Sequence, residues 1–438
     1  MAITIPDKKK TEKAAAVNRF ALSFLQKDSE KNSNFTQFKV GQANIVHLFS
    51  PDLIKHVLQT NPGNYLKGKE FDVLKISIGK GLLTNEGESW LKQRRLIQPL
   101  FHKQHLAAFS TQMVASTASL IQKWETKQNA IIEDMYSEIV ELNLDIILKT
   151  IFSNDMTNIE EEIKTITAAL IEETAASMVS VLGSVSGIQD LQSLKKNAVY
   201  LSGIISDITE SRKKKQAVHF DLLDMLMNAE YADTKQKIEP KQLLDELMTL
   251  LFTGMETTSS ALTFVLYLLY GHPDVLEKFY NEIKFLNGRP PSPEDFKNLP
   301  YTNQIISESM RLYPPVWYIS RSAIQDDSIE DLKINKGDAI VFSPYIMHRS
   351  SKFWEQPDVF NPERFKDRNQ NNNFIYFPFG GGPRTCIGNN FAFMSLTTSL
   401  VMIAQKFKLQ PVSSGQLKLS PLITLRPKEP LMMGIKKV

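Results

Sequence analysis

The sequence predicts a mainly α-helical protein with small β-sheets. Helical periodicity of apolar residues dominates from Pro51 to about Phe285, and one predicted helix, from about Leu243 to Tyr270, is unusually long. Segments with strand character are short and lie outside this region. We therefore expect helix-rich parts at about 85–315 and 389–409, and strand-containing parts at about 35–50, 316–345 and 410–438.

Short sequence signals place the strands. The segment Phe35 to Phe49 is typical of a hairpin whose bend lies between Val40 and Asn44. The stretch from Asp338 to Ser343 also reads as a strand. Proline and glycine between Asn287 and Pro293 indicate a loop that separates two helices.

Length and composition favour one large domain. A chain of 438 residues that is 42% hydrophobic can bury a substantial core, and neither an internal repeat nor a linker divides it. Residues 1–438 are therefore expected to form a single domain, and we expect a monomer. A net charge of +3 gives no sign of a nucleic-acid partner.

The amino-terminal residues favour neither a signal peptide nor a membrane anchor. Residues Met1 to Lys13 are highly charged, and the apolar patch from Ala14 to Leu25 is short and interrupted by Asn18 and Arg19. From this pattern we expect a cytoplasmic protein.

The long apolar helix from about Leu243 to Tyr270 has two possible interpretations. Its length is near that of a membrane-spanning helix. However, Glu256 lies at its middle, and a carboxylate at the centre of a bilayer costs several kcal/mol. A helix buried through a large soluble protein therefore fits better.

Cys386 is the only cysteine, so the chain can form neither an intramolecular disulfide nor a cysteine-only zinc site. Three roles remain: a buried apolar side chain, a nucleophile, or an axial ligand. Glycines at 380–382 and at Gly388 allow a backbone to approach a flat ligand closely, and Arg384 lies two positions before the cysteine. Loop N–H groups and Arg384 would favour the thiolate, which is a haem ligand.

The stretch that carries Cys386 resembles the haem-binding loop of the cytochrome P-450 monooxygenases, Phe-x-x-Gly-x-Arg-x-Cys-x-Gly. Phe379, Gly382, Arg384, Cys386 and Gly388 match every fixed position. The resemblance implies the cytochrome P-450 fold of soluble bacterial type, a triangular prism of helices around a buried haem b, with Cys386 as the axial ligand of the iron. It also implies that Phe379, Gly380 and Gly388 contact the cofactor.

The helix that follows Cys386 shows one departure from the family pattern. Many relatives carry Glu four residues after the Phe of this segment, and this chain has Ser395.

A second motif is Glu308-x-x-Arg311, which ends at Tyr313-Pro314-Pro315. On its own such a pair is usually a solvated surface contact. Some fifty residues later, Arg364 supplies the second arginine that the family pattern contains. The resemblance implies that Glu308, Arg311 and Arg364 form a buried charge network that holds the cysteine loop.

The third motif lies in the long helix. Gly254 and Thr257 share one helix face, and the Thr257 hydroxyl is able to bond a carbonyl one turn back. Gly254-x-Glu256-Thr257 resembles the oxygen-activation groove of the family, with Thr253 in place of the usual small residue. The resemblance implies that Glu256 and Thr257 are the catalytic acid and alcohol that relay protons to dioxygen.

Haem carries two propionates, which bind strong cationic donors. Trp90 and Arg94 lie four apart and match the family's Trp-x-x-x-Arg, and Arg321 falls where relatives place another arginine. Together with Arg384, these residues are the expected propionate-binding set.

The resemblance implies a haem-thiolate monooxygenase that inserts one atom of dioxygen into a small organic substrate, by hydroxylation or by O-dealkylation such as demethylation. Electrons are expected from a separate ferredoxin or flavodoxin and its reductase, and indirectly from NAD(P)H. The basic side chains of Lys92, Arg95 and Lys103 indicate where an acidic partner would dock. Two alternatives stay open: a haem-thiolate peroxygenase or isomerase, which would not need Glu256 and Thr257, and a non-catalytic haem sensor.

The substrate pocket is expected to draw on five segments. Most of their residues are apolar, which favours a lipid or terpenoid, whereas Trp317, Tyr318, Ser177 and Thr253 would also suit a methylated sugar or an aromatic ether. The segments are 71–83, 175–185, the face of Leu250 and Thr253, 316–319, and 421–424.

Overall fold

The structure, a computed structural model, describes residue 3 and residues 8–31, 34–127, 130–153, 155–156, 159–183, 191–215, 219–367, 373–412 and 417–438. The predicted fold class is confirmed, because the chain is mainly helical with small sheets. The α-helices are α1 Lys8–Ser29, α2 Pro51–Lys55, α3 Phe71–Ile78, α4 Gly87–Ile97, α5 Lys103–Leu106, α6 Ser110–Glu125, α7 Met135–Phe152, α8 Glu160–Gly183, α9 Gln192–Lys215, α10 Leu222–Asn228, α11 Pro240–Tyr270, α12 Pro273–Ile283, α13 Pro300–Leu312, α14 Pro344–Met347 and α15 Asn389–Lys406.

Small sheets flank these helices. The strands are β1 Phe35–Val40, β2 Ala43–Leu48, β3 Tyr65–Lys67, β4 Ile131–Ile132, β5 Ile319–Ala323, β6 Asp327–Ile329, β7 Leu332–Ile334, β8 Ala339–Phe342, β9 Phe407–Pro411, β10 Leu419–Pro421, β11 Leu425–Pro427 and β12 Met433–Lys437. The predicted hairpin is confirmed, since β1 and β2 pair antiparallel with Val40 opposite Ala43. The strand predicted at Asp338 to Ser343 is β8.

The helix α11 forms the central element of the helical part. Pro240 stands at its first turn, where a missing N–H costs nothing, and the helix continues for 31 residues to Tyr270. It packs along α7 and also contacts α13 and α15. Gly254 allows the close crossing with α7, because a Cβ there would lie 2.8 Å from Ile147 Cδ1. Since these neighbours cover it, an apolar helix of this length is stable without lipid.

The largest sheet closes one side of the helical part. Its strand order is β1-β2-β8-β5-β3, with β2 and β8 parallel and the other pairs antiparallel. The register of β3 with β5 sets Lys67 opposite Arg321. Two cationic side chains from distant parts of the sequence are thereby brought to the same place.

Helix α1 and the strands β3 and β4 lie outside the regions where the sequence predicted such elements, and so does the short helix α14. Helix α1 precedes the predicted helical part, and it buries Ala14, Leu22 and Leu25 against other parts of the chain. The strands β3 and β4 are three and two residues long, and each exists through pairing with a strand far away in the sequence. Such short elements carry no periodicity of their own, so the sequence alone does not reveal them.

Candidate active site

A cavity of about 390 Å³ lies between α11 and the loop that carries Cys386. It brings together ten residues that the sequence singled out from four separate stretches of chain. They are Trp90, Arg94, Glu256, Thr257, Arg321, Phe379, Gly380, Arg384, Cys386 and Gly388. Most of the remaining wall is apolar.

The loop before α15 presents Cys386 to this cavity. The backbone N–H of Cys386 donates to the Phe379 carbonyl oxygen at 3.0 Å, which closes the turn. Gly380 and Gly382 have positive φ values of 72° and 65°, which L-residues rarely adopt. A Cβ at Gly382 would lie 1.8 Å from the Leu58 carbonyl oxygen. Glycine is therefore required at 382 by both backbone conformation and space.

Burial raises the pKa of the Cys386 thiol above its usual value, while a hydrogen bond from the Gly388 backbone and the charge of Arg94 act in the opposite direction. The sequence interpretation that loop donors and Arg384 favour the thiolate is therefore corrected in two respects. Without a cofactor, burial outweighs the opposing effects and favours the protonated thiol over the thiolate. The guanidinium group that acts on the sulfur is that of Arg94. Arg384 instead forms an ion pair with Glu86.

A cluster of cationic side chains lies beside the cysteine loop. Arg94 donates from Nη1 to the Thr385 carbonyl oxygen at 2.6 Å, and Arg384 lies over the Trp90 ring at 4.2 Å. Burial and the neighbouring Arg384 lower the pKa of Arg321 to about 10. The expected set Trp90, Arg94, Arg321 and Arg384 thus shares one wall of the cavity.

Lys67 belongs to the same cluster, and sequence reasoning missed it. Burial, and then the charges of Arg321 and Arg384, hold its pKa well below the usual range. The only sequence signal is the strand pairing that sets Lys67 opposite Arg321, and a three-residue strand does not reveal it. Lys67 is therefore a fourth cationic side chain at this wall.

The charges in this cluster do not balance within the chain. Four cations, those of Lys67, Arg94, Arg321 and Arg384, face the two carboxylates of Glu70 and Glu86. Within the described part of the chain, these cationic side chains therefore outnumber the carboxylates beside them, and burying unpaired positive charge is costly unless anions bind there.

Another part of the cavity wall is the face of α11 around Thr257. The Thr257 hydroxyl donates to the Thr253 carbonyl oxygen at 2.8 Å, as the sequence suggested, and both residues line the cavity. Ile147 of α7 packs against Gly254, so the structure has no room for a side chain at this position.

Glu256 is buried next to this face. Its Oε1 accepts a hydrogen bond from the Thr424 hydroxyl at 2.8 Å, and its Oε2 is buried and has no hydrogen-bond partner among the residues that the structure describes. Burial raises the pKa of the carboxyl group, and the nearby Arg426 opposes this shift. Arg426 in turn forms an ion pair with Glu172. Thr424 and Arg426 lie in the carboxy-terminal hairpin, where no sequence motif indicated them.

Glu308, Arg311 and Arg364 lie outside the cavity and contact one another. Arg311 donates to both carboxylate oxygens of Glu308, at 2.7 and 2.9 Å, and Arg364 Nε donates to Oε1 at 3.0 Å. The side chains of Glu308 and Arg311 are 0% exposed. The Asn361 backbone N–H donates to the same Oε1 at 2.9 Å. The buried carboxylate is therefore fully paired.

His348 connects this network to the cysteine loop. Arg311 Nη1 donates to the His348 carbonyl oxygen at 2.7 Å, and His348 Nε2 accepts from the Phe377 backbone N–H at 3.0 Å. Burial and the charge of Arg311 lower the pKa of His348 to about 3, so the ring is neutral and able to accept. The hydrogen bond from the Phe377 N–H to His348 thus links the residues just before Phe379 to the charge network.

The cavity walls agree with most of the predicted pocket segments. They include Phe71, Leu82 and Leu83 from the first segment, Met178 from the second, Leu250 and Thr253, then Val316, Tyr318 and Ile319, and finally Ile423 and Thr424. Residues 184–185 of the second segment lie outside the described residues. Trp317 is a correction: it is buried, and its indole N–H donates to the Leu422 carbonyl oxygen at 2.9 Å, away from the cavity.

These features fit the haem that the resemblance implies. Three glycines of the cysteine loop and the exposed Cys386 line the cavity together, and the cations of the wall outnumber its carboxylates, which suits the two carboxylates of a haem. The raised pKa of Cys386 does not exclude ligation, because a bound metal ion deprotonates a coordinating thiol outright.

The docking surface predicted from basic residues is only partly retained. Lys92 lies 3.8 Å from Asp233 Oδ2 and over the Tyr231 ring at 4.7 Å, so its charge is engaged within the chain. Arg95 is exposed, and the side chain of Lys103 lies outside the described residues. In the described part of the chain, no helix has the length and apolar character that crossing a membrane requires.

Comparison with known proteins gives a consistent result. The family model for cytochrome P450 matches residues 16–434. Cyclooctat-9-en-7-ol 5-monooxygenase of Streptomyces melanosporofaciens is 30% identical over 87% of this chain and 83% of that protein. The chloroplastic carotene epsilon-monooxygenase of Arabidopsis thaliana is 29% identical over 91% of this chain and 78% of that protein.

A solved structure shows the same fold. The haem domain of cytochrome P450DA superposes with a TM-score of 0.87 over 95% of this chain and 92% of that chain, at 23% sequence identity.

Proposed function

Since this chain belongs to the cytochrome P450 family and is a cytochrome P450 monooxygenase, we propose that it oxidises a hydrophobic organic substrate in the cavity between α11 and Cys386. One atom of dioxygen enters the substrate, by hydroxylation or O-dealkylation, and electrons come from a separate redox partner. The observation that carries this proposal is that Cys386 and Thr257 line the same cavity.

The residues of the chain that would hold haem b divide into three groups. Cys386 would ligate the iron through its sulfur, and Phe379, Gly380 and Gly388 would contact the macrocycle. The two propionates would pair with Arg94, Arg321, Arg384 and Lys67, beside the Trp90 indole. When bound, the haem supplies the redox-active iron at which dioxygen is activated. Behind the loop, Glu308, Arg311 and Arg364 would hold the cysteine in place.

Replacing Lys67 is expected to stabilise the protein without haem and to weaken haem binding in the haem-loaded protein. In the apoprotein its charge is crowded by Arg321 and Arg384, so Lys67→Met is expected to raise the melting temperature. In the haem-loaded protein the same change removes a charge-assisted contact, worth about 1.5–3 kcal/mol, and haem should dissociate roughly tenfold faster or more. Thermal melts and haem transfer to apomyoglobin measure the two effects. The exposed Lys69→Met is the matched control, and equal behaviour of both variants would contradict the role of Lys67.

Proton delivery is the proposed task of Glu256 and Thr257. The Thr257 hydroxyl donates its proton to the Thr253 carbonyl and keeps lone pairs that accept from a ligand or water in the cavity. Glu256 holds a proton to higher pH than an ordinary carboxyl group because it is buried. Thr424 fixes one of its oxygens and Arg426 lies nearby, which leaves Oε2 free to exchange a proton.

Thr257→Ala tests this task directly. Loss of the hydroxyl should lower the yield of product per electron by at least about tenfold, and the reduced oxygen should be released as peroxide. The loss is not expected to be larger because the hydroxyl groups of the neighbouring Thr258 and Ser259 would partly replace that of Thr257. Oxygen uptake, peroxide and product are measured with a ferredoxin, its reductase and NADPH, using cyclooctat-9-en-7-ol and other terpenoid alcohols as trial substrates.

The control for this variant is Thr263→Ala, which removes the same kind of helix back-bond, to the Ser259 carbonyl oxygen at 2.8 Å, at a buried position outside the cavity wall. An unchanged yield of product per electron in Thr257→Ala would contradict the role of Thr257 in proton delivery. It would then favour the alternative of a peroxygenase or isomerase, which does not require the acid and alcohol.

An apolar substrate with few polar groups fits the wall best. Leu74, Leu82, Leu250 and Ile319 contribute apolar surface, with Thr253 and the Tyr318 ring among the polar exceptions. The names of two relatives, a cyclooctat-9-en-7-ol monooxygenase and a carotene monooxygenase, point in the same direction. We therefore propose a terpenoid or other lipid ahead of a methylated sugar or an aromatic ether.

The electron donor is proposed to be a ferredoxin or flavodoxin, reduced by its own reductase at the expense of NAD(P)H. Arg95 on α4 is exposed and suits an acidic partner. Product formation with this donor system also separates a monooxygenase from a haem sensor, because a sensor would bind a ligand without turnover.

A further inference from the structure

The segment Gly79–Thr84, which connects α3 and α4, forms part of the cavity wall. Leu82 and Leu83 line the cavity from this segment. The Thr84 hydroxyl donates to the Gly79 carbonyl oxygen at 2.6 Å and closes the segment into a compact turn. The segment is therefore one unit whose position decides how much of the cavity is open on that side.

Two neighbouring carboxylates of α11 hold this segment by its backbone. The Lys80 N–H donates to Asp245 Oδ2 at 3.0 Å, and the Leu82 N–H donates to Glu246 Oε2 at 2.8 Å. Gln242 braces the same contact, because its amide donates to Glu246 Oε1 at 2.8 Å and to the Lys80 carbonyl oxygen at 3.1 Å. The segment is thus attached to one turn of one helix.

The backbone of the segment lies directly on α11. A Cβ at Gly79, where φ is 72°, would lie 2.1 Å from Asp245 Oδ1. A Cβ at Gly81 would lie 2.1 Å from Thr249 Oγ1 and 2.6 Å from the Asp245 carbonyl oxygen. The close contact leaves no room between the segment and the helix, and both carboxylates are buried when the segment is in place.

Burial under the segment changes the protonation of Glu246. The residue is 1% exposed, and burial raises the pKa of its carboxyl group to about 7, against the lowering effects of the Leu82 N–H and Gln242. Asp245 raises it further, and the charge of Asp245 is itself paired with Lys241 at 3.0 Å.

The other charged or titratable groups around Glu246 supply no ion-pair partner. Within the part of the chain that the structure describes, no cation lies within ion-pair distance of Glu246. The groups concerned are Lys80 of the segment, Lys92 of α4, which lies near Asp233, and Tyr231, Asp233 and Glu239 of the residues before α11.

We propose that Glu246 is a positioning residue that holds the segment Gly79–Thr84, and with it Leu82 and Leu83, against α11 in the substrate-facing wall. We call this arrangement the seat, or the seated form, and we propose that ionisation of the Glu246 carboxyl group releases the segment from it. The proposal rests on the proposed function only in calling the cavity a substrate site. The seat itself is a property of the chain with or without turnover.

The sign of the pH dependence follows from the burial. When the segment lifts, Glu246 becomes hydrated and its pKa returns towards the ordinary value of 4.5, whereas in the seated form it is about 7. The seated form therefore binds a proton more tightly, and it is favoured at low pH. Opening should increase by up to about tenfold for each pH unit between the two values and level off above pH 7.

Hydrogen exchange of the haem-loaded protein without substrate measures this opening. The reporter is the peptide that contains the Leu82 amide, read by mass spectrometry at pH 5 to 8 and corrected for the intrinsic rise of exchange with pH. In the wild type the corrected opening constant should rise roughly tenfold to hundredfold from pH 5 to pH 7. In Glu246→Gln, which keeps the acceptor but does not titrate, it should be flat.

Two further variants keep the test decisive. Glu246→Asp retains a titrating carboxyl group and should retain a pH dependence, and it serves as the second reading if Glu246→Gln folds poorly. Glu239→Gln removes an exposed carboxyl group at the start of the same helix and should behave as the wild type. A wild-type profile without pH dependence, or one that Glu246→Gln retains, would overturn the proposal. Because no turnover is measured, this result is independent of the monooxygenase assignment.

Discussion

Glu308→Ala is expected to destabilise the protein by about 3–5 kcal/mol and to leave little haem-loaded material, because it leaves buried guanidinium groups without their counter-charge. Arg311 is completely buried, and two of its N–H groups donate to Glu308 at 2.7 and 2.9 Å. Arg364 and the Asn361 backbone N–H also donate to this carboxylate. Removing the carboxylate takes the acceptor from Arg311 Nε, Arg364 Nε and the Asn361 N–H at once, while Arg311 Nη2 keeps only the Val359 carbonyl oxygen at 3.2 Å.

The loss should extend to the cysteine loop. Arg311 also donates to the carbonyl oxygens of His348 and Pro357, at 2.7 and 2.6 Å, and His348 accepts from the Phe377 N–H two residues before Phe379. If Arg311 moves towards solvent, His348 loses the contact that fixes its carbonyl group. The haem should therefore be lost before the helical part unfolds.

Denaturant unfolding and haem content per polypeptide measure the two effects of Glu308→Ala. The matched control is Glu363→Ala, because Glu363 is 42% exposed and pairs at the surface with Lys278 at 2.7 Å. That change should stay within about 0.5 kcal/mol of the wild type. A Glu308→Ala protein with wild-type stability and full haem content would contradict the role of the network.

Candidate residues that lie close together in the sequence also lie together at the cavity. The glycines, the arginine and Cys386 occupy fixed spacings in one short stretch, and the structure places that stretch at the cavity. The same holds for Trp90 and Arg94, which lie one helical turn apart, and for Thr257 with its back-bond to Thr253. Local spacing specifies such groups because one turn or one loop is enough to position them.

Residues that reach the site through tertiary pairing were not predictable in this way. Lys67 joins the cationic cluster through a three-residue strand opposite Arg321, and Thr424 and Arg426 reach Glu256 from the carboxy-terminal hairpin. No spacing in the sequence relates these positions to their partners. The ionisation of Cys386 was misjudged for a related reason, since burial depends on the whole cavity and outweighs the donors close to it in sequence.

Cys386→Ser is expected to have the second large effect. The change replaces the one sulfur that faces the cavity, while the loop hydrogen bond from the residue 386 backbone to Phe379 does not depend on the side chain. Altering groups outside the ligand shell of a metal typically costs 10–100-fold in activity, so loss of the ligand itself should lower product formation by more than about 100-fold. Product is measured at equal haem content, with Thr263→Ala as the control. A variant within tenfold of the wild type would contradict ligation by Cys386.

The central claim, that Cys386 binds haem iron as a thiolate, is tested most directly by the absorption difference spectrum of the dithionite-reduced protein with and without carbon monoxide. Wild type and Cys386→His are compared at equal haem content. We expect a strongly red-shifted Soret band in the wild type and its loss in Cys386→His, because a thiolate donates electron density that an imidazole does not. An ordinary imidazole-type band in both proteins would mean that Cys386 is not the ligand, and the assignment of the site would be wrong.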